Sequence, residues 1–235
     1  MNLKNFTTFC FAVLLMGLST RAQDNPVGAW KTEVNNATAV LIITPGYFSQ
    51  THFDLPGKKF IASYGGTWKV TDNGEVEAMI EFNTLEKNQV GEKLTISGDM
   101  HDGKLVTAKG SDKLEWTRVD DGAGPLSGDW RISGREQDGK INTINPGARK
   151  TVKILSGTRF QWIAINTQTG EFFGTGGGTY TFENGKYTEN IEFFSRDSSR
   201  VGATLTFNGK VEGNNWDHSG LSSKGEPIHE IWTRQ

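Results

Sequence analysis

Cysteine is almost absent from this sequence of 235 residues: its single thiol, Cys10, lies in an apolar run near the N-terminus. If that run is removed during export, the remaining chain has no thiol. This excludes disulfide bonds, a cysteine nucleophile and a cysteine-ligated metal from the mature chain. A later apolar run long enough to span a bilayer as a helix is also missing. A basic stripe of the kind that binds nucleic acid is missing too. We therefore expect neither a membrane span nor a nucleic-acid partner.

The N-terminal residues have the organisation of a secretory signal peptide. Lys4 supplies a positive charge, residues 9–18 form a short apolar run, and residues 20–22 form a small-x-small cleavage site. The pattern predicts a signal peptide over residues 1–22 and a secreted or periplasmic protein. A lipoprotein would carry a cysteine at the cleavage point, and none is there. Removing Lys4 and Arg21 with the peptide leaves 23 basic and 27 acidic side chains, a formal net charge of −4.

Stretches with helical spacing are few, whereas short alternating runs recur about every 8–12 residues, which is typical of an antiparallel β-sandwich or barrel. The chain also repeats itself. Gly-Gly-Thr at residues 65–67 and 177–179 begins two stretches that each reach an Asn-Gly dipeptide, which supplies the positive-φ positions of a tight hairpin turn. Trp-Thr-Arg ends both copies, at residues 116–118 and 232–234. The sequence therefore predicts a tandem duplication.

The duplication divides the chain into two predicted β-domains. We expect a first barrel over residues 23–119, a linker over residues 120–127 and a second barrel over residues 128–235. Each copy contains about eight strand patterns separated by turn residues. Eight strands can close into a barrel that has no exposed edge and an interior wide enough for side chains or one small ligand. The predicted fold class is all-β, with two tandem eight-stranded up-and-down antiparallel barrels.

Both copies begin with Gly-x-Trp, at residues 28–30 and 128–130, and both end on an arginine, Arg118 or Arg234. This pattern resembles the lipocalin and fatty-acid-binding (calycin) barrels. The resemblance implies that each arginine stacks on the tryptophan across one end of its barrel, where a cation–π contact helps to close that end. The second copy also resembles a lipocalin-like domain of unknown function in secreted proteins of Bacteroidetes-type bacteria. That resemblance implies the fold and export, but it brings no activity and no catalytic residue.

Alternation along the strands indicates which side chains face each lumen. In the first copy, Ile80 and Phe82 mark the inward face of one strand. The matching face of the second copy carries Phe193, and it carries Glu189 where the first copy has Ala78. We therefore expect the first barrel to be filled by apolar side chains and the second to contain ionisable groups.

The same comparison places His218 and Glu230 inward, at positions that are not ionisable in the first copy. Aromatic walls with a few converging polar groups are typical of a small-molecule site. The predicted ligand-binding residues are Trp162, Tyr180, Tyr187, Glu189, Trp216, His218 and Glu230. A one-residue register slip would instead turn these groups outward, where they would be solvated or paired with arginine or lysine near the barrel rims.

Three functions stay open on the sequence alone. The first is a secreted protein that binds an amphipathic or carbohydrate-derived small molecule in the second barrel. The second is an enzyme that acts on a sugar or related molecule with Glu189, His218 and Glu230, either as acid and base or as two carboxylates flanking a glycosidic bond. The third is a surface interaction scaffold without a pocket, which would have a protein partner. No pattern indicates a cofactor or a metal site.

Overall fold

The structure is a computed structural model that describes residues 25–109 and 112–235. The first copy forms a closed antiparallel barrel, because β1 pairs with β2 on one side and with β8 on the other. Its strands are β1 (Gly28–Val34), β2 (Ala37–Ile43), β3 (Tyr47–Asp54), β4 (Lys59–Val70), β5 (Val76–Asn83), β6 (Lys93–His101), β7 (Lys104–Lys109) and β8 (Asp112–Asp120).

The second copy forms a nine-stranded antiparallel sheet that closes through pairing of β9 with β17. Its strands are β9 (Gly128–Gln137), β10 (Lys140–Thr143), β11 (Arg149–Leu155), β12 (Arg159–Asn166), β13 (Glu171–Glu183), β14 (Lys186–Phe194), β15 (Thr204–Glu212), β16 (Asn215–Leu221) and β17 (Pro227–Arg234). The prediction of two all-β barrels is confirmed, and the second has one strand more than predicted. Short 3-10 helices lie at Lys87–Gln89 and Ser198–Arg200. Within the described ranges, no helix is long and apolar enough to cross a membrane.

The additional strand, β10, opens one end of the second barrel. β9 pairs with β11 over residues 128–131 and then with β10 over residues 134–137. β9 and β11 therefore separate toward that end, and the segment from β10 to β11 crosses the gap. The first copy has no counterpart of this strand between its first two strands, β1 and β2, which pair directly along their length.

An Asn-Gly turn closes the hairpin between β13 and β14, as predicted. Asn184 has φ 51° and Gly185 has φ 72°, the two positive values that a tight turn of this hand requires. In the first copy Gly74 has φ 83°, but Asn73 is not among the positive-φ residues. The prediction that both copies use the same turn is therefore wrong for the first.

An arginine stacks on a tryptophan in each barrel, which confirms the predicted pairs. The guanidinium carbon of Arg118 lies 4.0 Å from the ring centroid of Trp30, and that of Arg234 lies 4.1 Å from the centroid of Trp130. The indole N–H of Trp130 donates to the carbonyl of Leu126 at 2.8 Å. Each pair therefore fixes one end of its barrel to the chain that enters it.

The prediction that Phe82 and Phe193 face the lumens is wrong. In the β4–β5 pairing, Gly65 lies opposite Phe82 and Gly66 lies opposite Ile80. This bulge leaves one residue unpaired and reverses the alternation after Ile80. A β-carbon on Gly66 would lie 1.9 Å from a backbone carbonyl of β5, so the close approach at the bulge requires glycine. The second copy has the same irregularity in its β13–β14 pairing.

The two phenylalanines instead belong to an apolar cluster between the barrels, with members from β2, β3 and β5 and from β11, β12 and β14. Phe53 lies against Phe193 with ring centroids 5.1 Å apart, and Phe82 stacks with Phe172 at 6.4 Å. Lys150 Nζ also lies 2.7 Å from Glu81 Oε1 across the interface. The facing strands of the two barrels are therefore buried on both sides.

Gln161 forms a polar network at the interface between the barrels. Its Oε1 accepts hydrogen bonds from Ser49 at 2.6 Å and Thr51 at 2.9 Å. Its Nε2 donates to Ser63 at 3.0 Å and to Thr175 at 2.9 Å. Because these bonds use both lone pairs and both N–H groups of the amide, the network is satisfied although all five side chains are buried.

Candidate functional site

The residues predicted to line a site lie inside the second barrel. Glu189, His218 and Glu230 are 4%, 2% and 7% exposed, so they are not solvated rim residues. The aromatic members of the predicted set lie in or against the apolar cluster of the second barrel: Tyr180, Tyr187, Trp216 and, at its margin, Trp162. The barrel interior therefore combines aromatic walls with three buried ionisable groups.

A buried ion pair joins Glu189 to Lys153, which sequence reasoning missed. Lys153 Nζ lies 2.9 Å from Glu189 Oε1, and both side chains are almost fully buried. The ammonium also lies 5.1 Å from the ring centroids of Tyr187, Trp216 and Trp232. Cation–π attraction to desolvated rings offsets part of the cost of burying the charge. Lys153 therefore sits at the centre of the aromatic lumen, with Glu189 as its counter-ion.

The sequence pattern of β11 does not indicate that Lys153 faces the lumen, because this strand is buried on both faces. Ile154, next to it, faces the first barrel, and in a strand with one solvated face this alternation would place the lysine outside. The inward orientation of Lys153 does follow from comparing strand pairing in the two copies. Lys153 pairs with Trp130 as Leu41 pairs with Trp30. The second barrel therefore has a lysine where the first has a leucine.

His218 lies among aromatic rings in the lumen. Its ring centroid is 4.3 Å from that of Phe207 and 5.1 Å from that of Trp216. Nδ1 is 3.7 Å from Glu230 Oε2, which is longer than a hydrogen bond, and neither ring nitrogen has a hydrogen-bond partner within the described residues. Burial, followed by the positive charge of Lys153, lowers the pKa of His218. We infer a neutral imidazole at pH 7.

This neutral imidazole predicts a specific pH dependence of stability. Because the pKa is lower in the folded state, the unfolded chain takes up a proton that the native state does not as the pH falls below about 6.5. His218 should therefore destabilise the fold on acidification, by up to about 1.4 kcal/mol per pH unit. We expect His218→Gln to reduce the pH dependence of the free energy of unfolding, measured by urea denaturation between pH 5 and 8.

His229 provides a control of opposite sign. Its hydrogen bonds with Glu136 and Asp217 raise its pKa. Its contribution to stability is therefore present below the unfolded pKa and is lost as the pH rises through the folded pKa. His229→Gln should make the loss of stability on acidification steeper. Equal pH slopes for the wild type and His218→Gln would contradict a neutral, buried His218.

Glu230 connects the lumen to the open end of the barrel. It accepts hydrogen bonds from Arg135 Nη2 at 2.7 Å and from Trp232 Nε1 at 3.2 Å. Burial acts to raise the pKa of this carboxyl group, but the polar ring of His218 beside it and the positive charges of Lys153 and Arg135 outweigh burial and hold the pKa below its ordinary value. Glu230 is therefore ionised at neutral pH. A glycosidase with two carboxyl groups needs one of them protonated as the acid, and Glu230 does not supply it.

Two more polar atoms in the lumen lack partners. In the part of the chain that the structure describes, neither Oη of Tyr187 nor Nε1 of Trp216 has a hydrogen bond. Burial, followed by the charge of Glu189, raises the pKa of Tyr187 well above its ordinary value, so its hydroxyl group stays protonated. With the two nitrogens of His218, four buried polar atoms inside the second barrel are unpaired among the described residues. Each such atom costs about 1–3 kcal/mol when it is buried without a hydrogen bond.

Polar side chains inside the first barrel pair with one another instead. Tyr64 Oη donates to Gln50 at 2.7 Å, and Gln50 Nε2 lies 2.7 Å from His52 Nε2. Trp116, the counterpart of Trp232, donates to Thr107 at 2.9 Å. The four unpaired lumen atoms therefore belong to the second barrel.

No protein-family model and no curated protein matches this sequence. The similarity to calycin barrels consequently rests on the architecture itself, two closed antiparallel sheets that each carry the Trp–Arg pair. Among residues 25–109 and 112–235, no group of three or more histidine, cysteine or acidic side chains could hold a metal ion.

An open cleft of about 300 Å³ lies beyond Glu230, where β9 and β11 separate. Arg135, at this end, is five residues further along β9 than Trp130, about 16 Å from the end that the Trp–Arg pair fixes. The cleft is lined by Arg131, Ile132, Arg135, Ile144, Asn145, Arg149, Lys150, Thr151, Ala164 and Phe173. None of the described residues that line it belongs to the set predicted from sequence.

Sequence reasoning missed the cleft because its basic residues are not contiguous. Arg131 and Arg135 lie on β9, whereas Arg149 and Lys150 begin β11. Only the pairing of these strands brings the two groups together. The available signal was the longer chain in this part of the second copy, since an insertion at one end of a barrel changes how that end closes.

Proposed function

We propose that this protein is an exported, lipocalin-like binding protein whose second barrel holds a small amphipathic or carbohydrate-derived molecule. One observation supports the proposal: four buried polar atoms, on Tyr187, Trp216 and His218, lie in the aromatic interior of the second barrel without a hydrogen bond among the described residues. Buried polar groups are nearly always paired in folded proteins. A ligand with hydroxyl or carbonyl groups would satisfy them.

The chemistry of these atoms suits a polar ligand with an apolar face. Trp216 offers a donor, and Tyr187 and a neutral His218 each offer a donor and an acceptor. The surrounding rings would pack on the C–H face of a sugar or on an alkyl chain. Lys153 and Glu189 neutralise each other at 2.9 Å, so this part of the lumen favours an uncharged group. The first barrel, in which the lumen side chains Tyr64, Gln50 and Trp116 are hydrogen-bonded, would be a packed structural partner.

Two matched tryptophan variants test the proposal. Trp216 and Trp116 are both fully buried, so Trp→Phe removes the same atoms at each site, but only Trp116 loses a hydrogen bond. We expect Trp116→Phe to be less stable than Trp216→Phe by about 1 kcal/mol. Ligand binding should respond in the opposite way, weakening roughly tenfold in Trp216→Phe and not at all in Trp116→Phe.

The measurement is a thermal-shift screen of sugars and amphiphiles on the full chain, followed by calorimetric titration of each compound that raises the melting temperature. The interface between the barrels makes the full chain the appropriate sample. Binding that is equally tight in both variants would contradict a lumen site. If no compound shifts the wild type while the chain captures a protein, the scaffold function replaces the proposed one.

A further inference from the structure

We propose that the cleft at the open end of the second barrel binds a small organic anion, a carboxylate or a related oxyanion attached to an apolar body. The cleft is separate from the unpaired lumen atoms of Tyr187, Trp216 and His218, and its assignment does not depend on the ligand proposed for them. The lining carries an excess of positive charge, one of its arginines is held over an aromatic ring, and an apolar wall lies beside that arginine.

The lining of the cleft has an excess of positive charge. Arg135 is paired with Glu230 and Lys150 with Glu81, each at 2.7 Å. The other two basic residues of the lining, Arg131 and Arg149, have no ion pair with any residue that the structure describes. Two uncompensated cations therefore share one cleft on a chain whose formal net charge is −2. Low-dielectric walls concentrate the field of such charges in a cleft.

Arg149 has the geometry of an anion-binding residue. Its guanidinium carbon lies 4.7 Å from the ring centroid of Phe173, so the planar group is held over an aromatic face. Of the described side chains and carbonyls, none accepts a hydrogen bond from it. A guanidinium presents its N–H groups as a fork that matches a carboxylate or phosphate group. Arg149 is therefore oriented, charged and free to bind an oxyanion.

Arg131 has a different role, because its Nη1 donates to the carbonyls of Ile132 and Ile144 at 2.9 Å each. These bonds hold the segment after β10 across the end of the barrel. Arg131 is a positioning residue that also adds to the positive potential of the cleft.

The rest of the lining indicates that the anion carries an apolar group. Ile132, Ile144, Ala164 and Phe173 provide the apolar wall. A bare inorganic ion would leave that wall in water, whereas an aromatic or short alkyl acid would cover it. The volume of about 300 Å³ lies at the lower end of the range for small-molecule sites, which favours an acid of the size of benzoate.

The test is calorimetric titration of the full chain with benzoate, with the uncharged analogue benzamide and with inorganic phosphate. We expect benzoate to bind at least tenfold more tightly than either of the others, and its affinity to fall as salt is added. Arg149→Gln should weaken benzoate binding roughly tenfold, the effect of losing one charge-assisted contact. Lys59→Gln removes a positive charge from an exposed position on the first barrel and should leave the affinity unchanged.

The outcomes separate this inference from the proposed function. Equal binding of benzoate and benzamide, or benzoate binding that survives Arg149→Gln, would overturn the anion site. So would phosphate binding as tight as that of benzoate, because the apolar wall would then contribute nothing. Loss of benzoate binding in Arg149→Gln but not in Trp216→Phe would support the cleft as a site of its own. Failure of all neutral ligands to bind would count against the lumen proposal alone.

Discussion

Replacing Lys153 by leucine, the residue at the equivalent position of the first barrel, is expected to destabilise the protein by about 3–5 kcal/mol. The change removes the counter-ion of Glu189, whose carboxylate is almost fully buried. An isolated charge in an apolar interior is far less stable than a paired one. The effect should be visible as a lower midpoint of urea denaturation with an unchanged slope.

The double variant Lys153→Leu with Glu189→Ala provides the control, because it reproduces the pair Leu41 and Ala78 of the first barrel. With both charges removed, we expect most of the lost stability to return, since well-packed apolar replacements of a buried ion pair are often neutral or stabilising. The coupling energy from the double-mutant cycle should therefore be several kcal/mol. Additive effects of the two changes would show that the pair is not a coupled unit.

Replacing Gln161 by leucine should cost about 2–4 kcal/mol. The amide makes four hydrogen bonds, with Ser49, Thr51, Ser63 and Thr175, each worth about 0.5–1.5 kcal/mol. Its loss also leaves the buried hydroxyl group of Ser49 without a partner among the described residues, whereas Ser63 still donates to the carbonyl of Gln50 and Thr175 to that of Trp162. The cost stays below the sum because Thr51 also bonds to Ser63 at 2.8 Å. Urea denaturation measures the loss.

The control for Gln161 is Ser49→Ala, which removes one partner of the amide and should cost about 1 kcal/mol. Amide hydrogen exchange gives a second readout. Gln161→Leu should increase exchange in β3 and β12, which face each other across the interface, more than in β7 and β16. Uniform acceleration over the whole chain would contradict a network that acts at the interface.

Much of the architecture could be predicted because it is encoded locally or repeated. The Asn184–Gly185 turn follows from local conformational preference. The inward positions of Glu189, His218 and Glu230 follow from comparing two copies whose pairing is the same, since a position that faces inward in one barrel indicates the orientation of its counterpart in the other. The Trp–Arg pairs followed from resemblance and are confirmed.

The errors have three physical causes. A single bulged residue in β5, and its counterpart in β14, reversed the orientation of Phe82 and Phe193, and alternation alone cannot place such a bulge. Lys153 was missed because the first barrel covers one face of β11, so both faces of that strand are buried. The cleft depends on which strands separate around β10. That is a property of tertiary pairing, and no short sequence pattern encodes it.

The interface at Gln161 also bears on how the chain is built. The barrels contact each other through equivalent strands, as the subunits of a twofold-symmetric dimer do. Gln161 and Ser49 are counterparts, because each pairs with the first glycine of its Gly-Gly-Thr repeat. A true homodimer would present two identical side chains at this position, either two amides in competition or two hydroxyls too short to meet. Joining the subunits in one chain removes that restriction, and one long and one short side chain can then complete a single asymmetric contact.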